Sequence, residues 1–163
     1  MQIDYIEGDL ISLAKEGSFD VVAHGANCFH TMGAGIAPLL NNMTDGNLLI
    51  ADRRTAYGDI NKLGAMSFTR QAFAGRLTHV VNIYTQYVIS SHFRSGVTLV
   101  NWNALEKGLR TILTGFGPNV VVGIPLIGCG LAKGPRVDFE HVLTNLQNDP
   151  TLDGRIVVVD YKR

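Results

Sequence analysis

Two glycine-rich turns hold most of the chemistry this sequence offers. The first reads His24-Gly25-Ala26-Asn27-Cys28-Phe29-His30-Thr31-Met32-Gly33-Ala34-Gly35-Ile36-Ala37, and the second Pro125-Leu126-Ile127-Gly128-Cys129-Gly130-Leu131. Each directly follows an apolar run of strand type, and in open α/β sheets ligands collect beyond the carboxyl ends of strands. Without a Cβ at Gly33 and Gly35, a phosphate can come close to the main chain. Pro38 fits only the first turn of a helix, so a helix start falls near Gly33 to Gly35. Free N–H groups and the positive end of the helix dipole then face the first loop, which suits an anion. Two such loops together can cradle a diphosphate; the plainer alternative is that the glycines only make tight turns. His24 is the side chain of most chemical interest, because imidazole takes up or releases a proton near neutral pH. Its plainer role is to finish a strand with a satisfied hydrogen bond.

Familiar phosphate and nucleophile signatures fail. A Walker A loop requires Gly-Lys-Ser/Thr, whereas Lys133 stands between Ala132 and Gly134. The dinucleotide pattern needs a further glycine three residues after Gly35, and that position is Pro38. Cys129 and Arg136 miss the cysteine-phosphatase spacing by one residue, with Pro135 intervening. Cys28 and Cys129 form no disulfide scaffold and no cluster with zinc spacing, so they read as small buried residues. Lys133 and Arg136 read as a solvated charge pair within reach of a phosphate, and His30 stands on the glycine-rich loop itself.

The chain has 163 residues, which at roughly 150 residues per domain suggests a single domain over 1–163. Fourteen Lys and Arg balance fourteen Asp and Glu, so the formal charge is zero. Broad phosphate neutralisation along a nucleic acid therefore is not expected. Eighteen residues are glycine, an excess that calls for several close approaches of the backbone. The N-terminus lacks a basic start followed by an apolar run, and no apolar stretch is long enough for a membrane span. A cytoplasmic protein without membrane contact is the expectation. The sequence does not fix its oligomeric state, with a monomer as the working assumption.

The elements that must position these loops alternate between short apolar runs and helical periodicity, as in a layered α/β domain. Ile3 to Ile6 reads as a strand, followed by a short helix to about Lys15. Phe19 to Ala23 reads as a strand buried on both faces. Ile36, Ala37, Leu39, Leu40 and Met43 have helical spacing, and a second helix is expected from about Asp45 to Tyr57. Gly64 to Phe73 and Leu77 to Gln86 read as strands. Leu99, Trp102, Leu105, Leu109, Ile112, Leu113 and Phe116 mark the clearest helix, with Trp102 in its apolar stripe. Val120 to Pro125 is a buried strand, Asp138 is placed to cap a helix carrying Phe139, Val142, Leu143 and Leu146, and Ile156 to Tyr161 is a terminal strand. The segment Ser90 to Gly96 reads as the most mobile loop.

Four ordered motifs carry a family resemblance over nearly the whole chain: Gly8-Asp9-Leu10, Gly25-Ala26-Asn27-Cys28, Gly33-Ala34-Gly35-Ile36-Ala37 and Gly128-Cys129-Gly130-Leu131. Together they resemble a macrodomain, the ADP-ribose-binding module, which implies a three-layer α/β/α fold around a central mixed sheet. His24, the segment Asn82-Ile83-Tyr84-Thr85-Gln86 and Ile127 to Leu131 are most similar to the branch of ADP-ribose 1''-phosphate phosphatases found in yeast, bacteria and phages. Asp138-Phe139-Glu140 resembles the Asp-Trp-Glu of relatives, although Lys133 to Val137 is longer here.

Carried over position by position, the resemblance implies that Asp9 accepts from the adenine amino group with Leu10 beside it. It implies that Asn27 bonds the distal ribose or its 1''-phosphate. Gly33, Ala34, Gly35 and Ile36 would cover the diphosphate and distal ribose, with Gly128, Cys129, Gly130 and Leu131 on the other side. His24 and Asn27 are the implied catalytic pair, with no metal and no cofactor. The branch that removes ADP-ribose from proteins through a lysine nucleophile and an aspartate has those groups near the positions held here by Thr85-Gln86 and Ala132, so that covalent route lacks its nucleophile. The expected activity is hydrolysis of ADP-ribose 1''-phosphate to ADP-ribose and phosphate. The rivals are a non-catalytic ADP-ribose reader and a hydrolase that strips ADP-ribose from macromolecules.

Overall fold

Strands whose consecutive residues are all apolar must be covered on both faces, and the computed structural model, which describes residues 1–89, 99–130 and 132–161, shows how. Strand β2 (Val21–Asn27) lies inside a six-stranded sheet with β1 (Gln2–Glu7), β3 (Met66–Phe73), β4 (Arg76–Gln86), β5 (Val121–Ile124) and β6 (Arg155–Asp160). The order is β1-β6-β5-β2-β4-β3; every pairing is parallel except β3 with β4. That one antiparallel pair is joined at Ala74 and Gly75, both at positive φ, the tight-turn geometry that matches strand twist.

Side-chain parity sorts the core into two layers. Val21, Ala23, Val81, Ile83, Ile156 and Val158 face α4 (Trp102–Gly115) and α5 (Arg136–Gln147), where they meet Leu105, Leu109, Ile112, Phe139 and Leu143. Val22, Val80, Val157 and Val159 face the opposite way, against Leu10 and Ala14 of α1 (Leu10–Lys15), Leu40 and Met43 of α2 (Ala37–Met43) and Leu48 of α3 (Asn47–Arg53). The expected α/β/α layering with a mixed sheet is what the chain adopts. Closest approach occurs where Gly108 of α4 meets Ile83: a Cβ on that glycine would stand 2.3 Å from Ile83 Cγ2.

Several boundaries differ from expectation. Strand β2 runs on through His24, Gly25 and Ala26 to Asn27, because its pairing with β4 continues past Ala23. Helix α3 stops at Arg53 rather than near Tyr57. Helix α4 begins at Trp102, capped by Asn101, whose Oδ1 accepts from Ala104 N at 2.9 Å. Helix α5 begins at Arg136 after Pro135, so Asp138 sits in its first turn and is not its cap. Ser90 to Gly96 lies outside the described residues. No helix among them is long and apolar enough to cross a membrane.

Candidate functional site

The carboxyl ends of β2, β4 and β5 open into a cavity of about 460 Å³. Its walls come from His24 to Asn27 at the end of β2, Thr31 and Gly33 to Ala37 ahead of α2, Thr85, Gln86 and Ile89 at the end of β4, and Pro125 to Gly128, Gly130 and Ala132 beyond β5. Both glycine-rich turns therefore meet in one space. Leu131 falls outside the described residues.

What these walls present is backbone. Among the described residues, Gly33, Ala34, Gly35, Ile36, Gly128 and Gly130 donate no main-chain hydrogen bond. Gly33, Ala34, Gly35 and Gly130 are exposed and Ile36 and Gly128 half-buried, so these N–H groups are open to water or to a ligand. The turns hold their shape by other contacts. Gly35 and Gly128 take φ of 67° and 81°, the left-handed region that favours glycine. The Gly128 carbonyl accepts from Gly134 N, and Cys129 N donates to Leu126 O. No Asp, Glu, Lys or Arg occurs among the described lining residues, and His24 is the one titratable side chain there.

His24 belongs to a polar network in the layer between the sheet and α3. It is 2% exposed, and its Nε2 lies 2.5 Å from Asn82 Oδ1. Asn82 Nδ2 donates to Ser67 Oγ and Leu48 O, which directs its Oδ1 at the imidazole. An acceptor at that point fixes the neutral ring as the Nε2–H tautomer. The network continues through Ser67 to Tyr84 Oη, which donates to Asp52 Oδ1 at 2.7 Å. Neither Ser67 nor Asp52 stands out in the sequence, and Tyr84 does so only within the segment Asn82 to Gln86, because the network joins strands and a helix far apart along the chain.

Burial pushes the His24 imidazole below its usual 6.5, only partly opposed by the bond to Asn82. His79, stacked against Phe68 and Phe116, is lowered too, by burial and then by Arg70. A histidine with a depressed folded pKa binds its proton more readily in the unfolded chain. Stability is thus full above pH 6.5 and falls as pH drops below it. Thermal midpoints followed from about pH 8 to about pH 5 should decline in that lower window, and His24→Gln should flatten the slope. A wild-type profile that stays level would contradict the burial of neutral imidazole.

The other expected site residues divide. Asn27 lines the cavity, 7% exposed, with its amide largely occupied: Oδ1 accepts from Phe29 N at 2.8 Å and Thr31 Oγ1 at 3.0 Å, while Nδ2 donates to Thr31 O at 2.9 Å. One N–H of that amide is left over. Asp9 caps α1 through Ile11 N and Ser12 N and is not part of the lining; it stands at the same edge of the sheet, at the end of β1. Leu10 is buried in the α1 layer. Cys129 packs toward the α4–α5 layer outside the lining, and burial raises its thiol pKa, as it does that of Cys28. His30 bonds Thr55 O at 2.9 Å and also lies away from the cavity. Arg136 pairs with Glu140 and Asp160. Thr31, Gln86, Ile89 and Ala132 are lining residues that no sequence signal singled out for binding.

No family model matches this sequence. It is 33% identical over 167 residues to the uncharacterized 17.5 kDa protein in the tk-vs intergenic region of Enterobacteria phage T4, covering 99% of this chain and 98% of that one. The chain belongs to that phage protein's family. Among solved structures, the macrodomain of Mycobacterium tuberculosis DarG superposes with a TM-score of 0.69 at 21% identity, over 99% of this chain and 98% of that one. A Trypanosoma brucei macrodomain in complex with ADP-ribose superposes at 0.66 with 15% identity, over 97% of this chain and 63% of that one. The fold of this phage-family protein is accordingly the macrodomain fold.

Proposed function

We propose that the cavity binds ADP-ribose, with the diphosphate against the main-chain donors of Gly33 to Ile36 and of Gly128 and Gly130. The observation that carries this reading is that two loops whose N–H groups have no main-chain acceptor among the described residues line one space, with no Asp, Glu, Lys or Arg among its described lining residues. Phosphate oxygens accept only, so preformed donors satisfy them, and each amide bond to an anion is stronger than one between neutral groups. The Trypanosoma brucei structure with ADP-ribose supports the choice of ligand. Asp9, beyond the end of β1 and two strands from β5 along the same edge of the sheet, is offered as the acceptor for the adenine amino group, with Leu10 holding its turn.

Hydrolysis of ADP-ribose 1''-phosphate is the reaction we assign to this site. Water attacks the terminal phosphorus, the bond between phosphorus and the 1'' oxygen breaks, and that oxygen leaves with a proton. Loop amides hold the equatorial oxygens, which is where most catalysis of phosphoryl transfer resides. The spare N–H of Asn27 orients the group, and His24 handles the proton at Nδ1, since Nε2 is committed to Asn82. A second reading, a reader that binds ADP-ribose without turnover, is favoured by the deep burial of that same imidazole.

Calorimetric titration with ADP-ribose, followed by phosphate release from its 1''-phosphate, tests both. Binding with turnover is expected. Binding without turnover selects the reader, and no binding removes the proposal.

A further inference from the structure

The pairing of β2 with β4 slips by one residue where the two strands enter the cavity. Ala26 pairs with Tyr84 and Asn27 with Gln86, so Thr85 is the extra residue of a bulge. Bulges re-aim a side chain and are found next to functional sites. This one is anchored from behind, because the Thr85 carbonyl accepts from Asn101 N at 2.6 Å, and Asn101 in turn caps α4. Thr85 is 1% exposed and lines the cavity, and its hydroxyl makes no hydrogen bond to a described residue. The group lies on the cavity floor beside Gly25: a Cβ added to that glycine would stand 2.5 Å from Thr85 Oγ1 and 2.9 Å from Ile127 Cγ2.

A hydroxyl at the cavity wall without a bond to a described residue is left to water or to what the cavity binds. Its chemistry differs from that of the neighbouring amides, which only donate; a hydroxyl donates and accepts, as a sugar hydroxyl does. The geometry points to Thr85 as a specificity residue that bonds a hydroxyl of the sugar carried on the far side of the diphosphate, distinguishing ADP-ribose from ADP. The assignment rests on the proposed ligand of the cavity.

The test compares the full chain with Thr85→Val and Thr85→Ser, titrated calorimetrically with ADP-ribose and with ADP. Thr85→Val should weaken ADP-ribose about tenfold, the loss expected for one hydrogen bond. ADP affinity should stay unchanged, and Thr85→Ser should keep wild-type behaviour. Since no bond to the described protein is lost, the thermal midpoint of Thr85→Val should not fall. Unchanged ADP-ribose affinity in Thr85→Val overturns the assignment, as does an equal loss for both nucleotides or a Thr85→Ser variant as weak as the valine. Wild-type protein that binds neither nucleotide overturns the reading of the cavity itself, and the assignment with it.

Discussion

Replacing Gly35 with valine should abolish ADP-ribose binding, lowering affinity about 100-fold or more. Gly35 sits at φ 67° in the loop that faces the cavity. A β-branched residue at such a φ costs about 1–3 kcal/mol, so the loop would rearrange to relieve it. Any rearrangement misaligns the N–H groups of Gly33 to Ile36 together. Hydrogen bonds to charged groups contribute about 1.5–3 kcal/mol each, and loss of two accounts for the 100-fold figure. Since Gly35 is exposed and lies ahead of α2, the fold itself should persist, which circular dichroism and the thermal midpoint would verify. A folded Gly35→Val protein that still binds as wild type would remove the main-chain cradle from consideration.

For His24→Ala, phosphate release from ADP-ribose 1''-phosphate should fall about 100-fold or more, the usual loss on removing a general acid or base. ADP-ribose affinity should survive, because no amide of the cradle belongs to His24. The substitution also leaves Asn82 Oδ1 buried without its donor, at a cost of about 1–3 kcal/mol. Rates must therefore be compared well below the lowered midpoint. Turnover equal to wild type would show that His24 serves the polar network and not the reaction.

The parts of the fold governed by one segment at a time could be read from sequence. Adjacent valines at 21 and 22, and again along Val157 to Val159, require cover on both faces, and the two helical layers supply it. The stripe from Leu105 to Leu113 marked α4, and Pro38 marked the start of α2. Where two segments decide jointly, the sequence was silent. Strand β2 continues to Asn27 because β4 is there to pair with it, and Asn101, the cap of α4, is tied to β4 by the bond from its N–H to Thr85 O. The same applies to the site. Both glycine-rich loops were visible, and they line one cavity; the bulge at Thr85 depends on register between strands and left no local mark. The partner of His24 is 58 residues away, so nothing near position 24 announced the network that buries it.

Alternation along β2 has a consequence for how this protein can change. His24 enters the polar layer against α3, while the next residue, Gly25, opens onto the cavity beside Thr85 and Ile127. Deleting or inserting a single residue upstream in that strand would exchange the two, putting the imidazole against Thr85 and Ile127 and leaving Asn82 facing a glycine. Interior and binding surface are thereby locked to a common reading frame, so a change of length within β2 disturbs both at once, whereas a substitution there touches only one.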